Sequence, residues 1–96
     1  MRTIKLMADY QCFPLWKASP GEVGNIDPEG LPISEEIKVK LANWARQYDG
    51  TLNMDYPPDS GFETAEAEAE FKQEGLRLAN QLRIELGPEY EVIIYL

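Results

Sequence analysis

From Thr3 to Tyr10 the chain alternates, with Ile4, Leu6, Ala8 and Tyr10 on one face and Thr3, Lys5, Met7 and Asp9 on the other. A period of two predicts a β-strand. Phe13 to Trp16 extends this strand or forms a short edge strand, because Pro14 has no N–H to give a ladder and fits only an edge or a bulge. From Ala18 to Ile33 prolines and glycines replace periodicity, so a long loop without regular elements is expected. Val23, Ile26, Leu31 and Ile33 are its means of packing on itself.

Helical spacing follows. Ser34 suits an N-cap, Glu35 and Glu36 occupy a first turn where the helix dipole favours acids, and Ile37, Leu41, Trp44 or Ala45, and Tyr48 recur on one face. Trp44 is therefore read as a core residue, and Asp49-Gly50 as a stop with glycine in the left-handed conformation. A second irregular stretch runs from Thr51 to Gly61. A longer helix starts near Ser60 or Phe62 and ends at Leu86 before Gly87-Pro88, burying Phe71, Gly75, Leu78 or Ala79, Leu82 and Leu86. Tyr90 to Leu96 carries apolar residues on both faces, the mark of a central strand covered by helices.

These elements predict an α/β fold of order β-(β)-α-α-β. A small two- to three-stranded sheet, its N- and C-terminal strands adjacent and parallel, packs against two helices. Residues 1–96 read as a single domain. Leu, Ile, Val and Phe supply 23 of 96 residues, which suffices for a packed core.

Nine basic and seventeen acidic side chains leave a net charge of −8, which opposes nucleic acid and anionic lipid as partners and favours a basic protein. Solubility alone is the plainer account of that charge. Cys12 has no partner for an internal disulfide, as in a reducing compartment, and Arg2 and Lys5 precede no signal-like apolar run. The longest apolar run, Val92 to Leu96, falls far short of the roughly 20 residues that span a bilayer. A cytoplasmic location is expected.

Chemistry has little to build on. Without histidine there is no imidazole base and nothing to ionise Cys12, which reads as a structural thiol, and there is no Gly-rich phosphate loop. Asp55 and Asp59 lack the repeated oxygen ligands of a calcium loop. No cofactor is expected; a small carboxylate enzyme or metal binder stays as an alternative.

The second helix carries the feature that the fold does not require. Glu63, Glu66, Glu70 and Glu74 recur at spacings of three, four and four and so line one face, with Glu68 nearby and Asp55 and Asp59 preceding them. From Asp55 to Glu74 seven acids face one base, Lys72. The dipole accounts for Glu63 and Glu66, but like charges four apart cost about 0.2–0.5 kcal/mol each, so at Glu70 and Glu74 repulsion wins unless Arg77 relieves Glu74. Either the face is merely solvated or it meets a cationic partner. Tyr56 beside it is an aromatic of the kind that anchors interfaces, and Trp16 is a second such residue or a core one.

With Asp9-Tyr10-Gln11-Cys12-Phe13-Pro14-Leu15-Trp16, Val23-Gly24-Asn25-Ile26-Asp27-Pro28, Tyr48-Asp49-Gly50-Thr51-Leu52-Asn53 and Ser60-Gly61-Phe62, the sequence resembles small acidic bacterial immunity proteins of contact-dependent growth inhibition and related polymorphic toxin systems. The resemblance implies a cytosolic inhibitor, monomeric until it joins a cognate basic toxin, often a nuclease, in a heterodimer. It assigns no binding residue. The partner-binding residues expected from the charge pattern are Asp55, Tyr56, Asp59, Glu63, Glu66, Glu70 and Glu74. A general acidic interaction module, using the long loops, is the other alternative.

Overall fold

A computed structural model of the protein describes residues 2–52, 55 and 61–96. Strands β1 (Arg2–Leu6), β2 (Leu15–Lys17), β3 (Asn25–Ile26) and β4 (Tyr90–Ile94) form one sheet in the order β3-β2-β1-β4. The N- and C-terminal strands pair in parallel, with Ile4 opposite Val92, while β1 and β2 are antiparallel with Lys5 opposite Trp16. Helices α1 (Glu35–Asp49) and α2 (Ala65–Leu86) cover one face. The expected α/β order is observed, with one strand more than expected.

That extra strand lies inside the stretch expected to have no regular structure. The Asn25 side chain accepts from Phe13 N at 2.9 Å and donates to the carbonyls of Phe13 (2.6 Å) and Leu15 (2.9 Å), latching β3 onto β2. Asp27 then caps a 3₁₀ turn, Pro28–Gly30, whose Pro28 is buried. Ile33 is buried and Ile26 and Leu31 pack against the core, but Val23 is 89% exposed and contributes no packing.

Other boundaries shift for physical reasons. β1 stops at Leu6 rather than reaching Tyr10: Met7 N still donates to Pro14 O, but Pro14 has no N–H to return the bond, and Gln11 turns the chain at φ 59°. Alternation persists past the strand: Ala8 packs on the core and Tyr10 stacks on Tyr48 at 4.6 Å. β2 comprises Leu15–Lys17, so Phe13 and the buried Pro14 precede it. α2 begins after both expected starts, since Gly61 at φ 157° holds a backbone that no helix admits and Thr64 supplies the cap. Gly50 ends α1 at φ −65°, not left-handed; of the two glycines that end helices, Gly87 at φ 77° is the one with positive φ. Finally, β4 is an edge strand with one face open, not a central one, because both helices lie on the same side.

The core joins Ile4, Leu6, Leu15 and Val92 of the sheet to Ile37, Leu41 and Trp44 of α1 and Phe71, Leu78, Ala79, Leu82 and Leu86 of α2. Each such side chain contributes about 1.5–3 kcal/mol by leaving water. Trp44, 1% exposed, sets the distance between helices: it stacks on Phe71 at 4.4 Å and donates from Nε1 to Phe71 O at 2.9 Å. Gly75 lies against the ring, where an added Cβ would meet Trp44 Cζ2 at 2.9 Å. A glycine that helix propensity disfavours is thus required by close packing.

Candidate functional site

Thr64 is extended at φ −137° and accepts from Ala67 N at 3.0 Å, so α2 starts from a satisfied cap. The first turn then holds Glu66 and Glu68, both suited to the positive end of the helix dipole. Every residue from Ala65 to Glu70 is exposed, and burial begins only at Phe71. Roughly 9 Å of helix is therefore exposed, with Ala67 and Glu70 on a groove shared with α1 and Glu68 on a cleft shared with Met7 to Asp9. None of these six residues is buried, so core packing does not account for this section being helical. Its order rests on the cap, on the high propensity of Ala65, Ala67 and Ala69, and on the pair between Lys72 Nζ and Glu68 at 3.2 Å.

The expected acidic residues separate into groups. Glu66, Glu70 and Glu74 share one face of α2 as their spacing requires. Glu63 does not, because it precedes the Thr64 cap and lies outside the helix. It still reaches the same neighbourhood: Glu63, Glu70 and Glu74 line an open groove of about 560 Å³ between α1 and α2, floored by Phe71. Asp55 is an exposed bend residue, whereas Tyr56 and Asp59 lie outside the described residues.

Of the two cations at this groove, spacing along the helix revealed Arg77 but not Arg46. Arg77 donates to Glu74 Oε2 from Nε at 3.0 Å and Nη2 at 2.8 Å, which relieves the repulsion expected at Glu74. Arg46, from α1, lines the groove and donates to Asn43 Oδ1 at 2.6 Å. The groove thus holds three carboxylates and two guanidiniums, close to neutral. Among the described residues, Glu63, Glu66 and Glu70 make no ion pair. Two of these carboxylates, Glu63 and Glu70, stand at the groove, and Glu66 lies outside it on the exposed start of α2.

Polar ties brace the two ends of the helical layer. Glu85, near the far end of α2, accepts from Ser34 N at 2.6 Å and Ser34 Oγ at 3.0 Å, joining the end of one helix to the cap of the other. The Ser34 N–H holds the Glu85 carboxyl below its ordinary range, against a smaller opposing effect of burial. At the other end, Tyr10 OH and Thr51 Oγ1 lie 3.1 Å apart and Thr51 Oγ1 donates to Tyr48 O at 2.6 Å. Burial first, and then Tyr10, pushes the Tyr48 hydroxyl upward. Gln11 N donates to Asp49 Oδ1 at 2.9 Å. Trp16, half-buried, lies on the open face of the sheet with Nε1 donating to Met7 O at 2.9 Å, and is neither core nor free. Cys12 is half-buried.

Fold and face together define a small two-layer α/β protein with a helix end left ordered, acidic and solvent-exposed. The chain belongs to the Serratia CdiI immunity protein-like family, whose model matches residues 2–96. It is accordingly an immunity protein directed at a toxin of contact-dependent growth inhibition. No curated protein matches the chain. No helix among the described residues is long and apolar enough to cross a membrane. The segments that carried the resemblance act structurally where they are described: Asn25 latches β3, Asp27 and Pro28 build the 3₁₀ turn, and Asp49 and Thr51 brace the Tyr10 turn.

Proposed function

We propose that the protein neutralises a basic toxin domain, a nuclease, by presenting the exposed start of α2 to its cationic surface. The supporting observation is that every residue from Ala65 to Glu70 is exposed while the helix stays capped and regular. A chain that ordered two turns of helix for its own stability would pack them. Glu66 and Glu70 carry the contact on the helix, Glu63 and Glu74 flank it, and Asp55, Tyr56 and Asp59 extend it along the preceding segment. Nucleases concentrate positive charge to hold phosphates, so carboxylates set along a helix oppose the same surface. The benefit is faster encounter and selection of the right partner, more than affinity as such.

The test is co-expression with the toxin domain encoded beside the protein, read as growth rescue and as a stable complex. Failure of both rejects the reading. Replacing Glu66, Glu70 and Glu74 by Gln should then slow association by about three- to tenfold at low salt and flatten its salt dependence, with the fold unchanged. An association rate that does not move would place the interface on another surface.

A further inference from the structure

β4 presents the chain's clearest hazard for self-association. Tyr90 to Leu96 reads Tyr-Glu-Val-Ile-Ile-Tyr-Leu, seven residues with one charge and neither proline nor glycine, the composition from which strands add to one another. It forms one edge of the sheet; the opposite edge, β3, is only two residues long. Ile93 (40%), Tyr95 (66%) and Leu96 (45%) leave apolar surface exposed beside that edge. Glu89 O accepts from Arg2 N, and Tyr95 N donates to Leu6 O, so the odd-numbered residues of β4 face β1. By the alternation of a parallel ladder, Tyr90, Val92 and Ile94 then direct their backbone groups to the open side.

One side chain closes the middle of that side. Arg83 of α2 donates to Val92 O from both Nε (3.2 Å) and Nη2 (2.8 Å), and its Nη1 donates to Asn80 Oδ1 at 2.8 Å, which fixes the plane of the guanidinium. We infer that Arg83, oriented by Asn80, guards the β4 edge and keeps a second copy of the chain from pairing with it, strand against strand. An incoming strand needs the Val92 carbonyl as an acceptor, and needs the space that the guanidinium fills. A charge lying in that gap leaves any pairing strand either unpaired at its centre or forced to bury an arginine. This inference stands apart from the toxin-binding reading, which uses the opposite end of α2.

Arg83→Met keeps the aliphatic length and removes the donors. Sedimentation velocity across about a hundredfold range of concentration should show the wild type as a monomer and R83M as a concentration-dependent dimer. Adding Ile93→Lys to R83M, which places a charge beside the edge, should restore the monomer. Asn80→Ala, which frees the guanidinium without touching the strand, should self-associate more weakly than R83M, and it provides the reading if R83M fails to fold. A wild type that is itself dimeric overturns the inference. So does monomeric behaviour of folded R83M, or of N80A where R83M is misfolded. Association of R83M that Ile93→Lys leaves untouched overturns it too, since the contact would then lie away from β4.

Discussion

α2 is two helices in energetic terms. From Phe71 onward it buries Leu78, Ala79, Leu82 and Leu86 against the sheet and α1, whereas from Ala65 to Glu70 it touches no core at all. The first section would be a poor helix without its propensity and cap; the second would stay helical with worse ones, since packing determines it. Stability is therefore placed in the later turns of the element, and the recognition proposed above in the first ones. That separation lets carboxylates gather at the exposed end without burying charge.

Four variants break or sharpen this contrast. The largest effect is expected at Gly75→Ala, where propensity alone would favour alanine by about 1 kcal/mol. The 2.9 Å approach to a ring fixed by stacking and by its own hydrogen bond should reverse that sign, for a net loss of about 1–3 kcal/mol in urea denaturation. A gain in stability would show that the helices can move apart freely. Next, Thr64→Ala removes the cap of the exposed section and should cost about 1 kcal/mol locally. Hydrogen exchange should quicken at Ala67 to Glu70 and remain slow beyond Phe71; equal change in both sections would mean that they unfold as one.

Glu85→Gln addresses the packed end, through pH. Ser34 holds the folded-state pKa of Glu85 below its unfolded value, so the stabilisation is complete above about pH 4.3 and is lost as pH falls through the folded value. Urea midpoints of the wild type and E85Q should accordingly differ most near neutrality and converge in acid. A constant difference would show that the charge is not what Ser34 recognises. Smallest is the effect of Glu66→Gln with Glu70→Gln on stability, within about 0.5 kcal/mol and in the stabilising direction as repulsion is relieved. Thermal melts of the free protein read this, and a clear loss would mean that these carboxylates support the fold.

Local chemistry was legible wherever it acts over a few residues. Ser34, the helical stripe of α1, the stop at Gly87 and the adjacent parallel terminal strands follow from capping, periodicity and connection length. Trp44 was legible as core because its neighbours at helical spacing are apolar. Glu63 was misplaced on the helix because a spacing of three continues across a cap without any change in pattern. β3 was missed because what makes it a strand is the Asn25 side chain bonding two residues that are distant in sequence, and no periodicity records that.

Composition and periodicity by themselves determined the α/β class, the two helices, the pairing potential of the chain ends and a concentration of negative charge near the start of α2. Only the tertiary structure decided that β4 is an edge, that Gly75 admits Trp44, and that Arg46 comes from α1 to join Arg77 in nearly neutralising a groove lined by Glu63, Glu70 and Glu74, with Glu66 outside it. The reason is physical: a pattern along the chain fixes which face of an element is apolar, but whether a face is covered, or a charge balanced, depends on groups brought from elsewhere in the sequence.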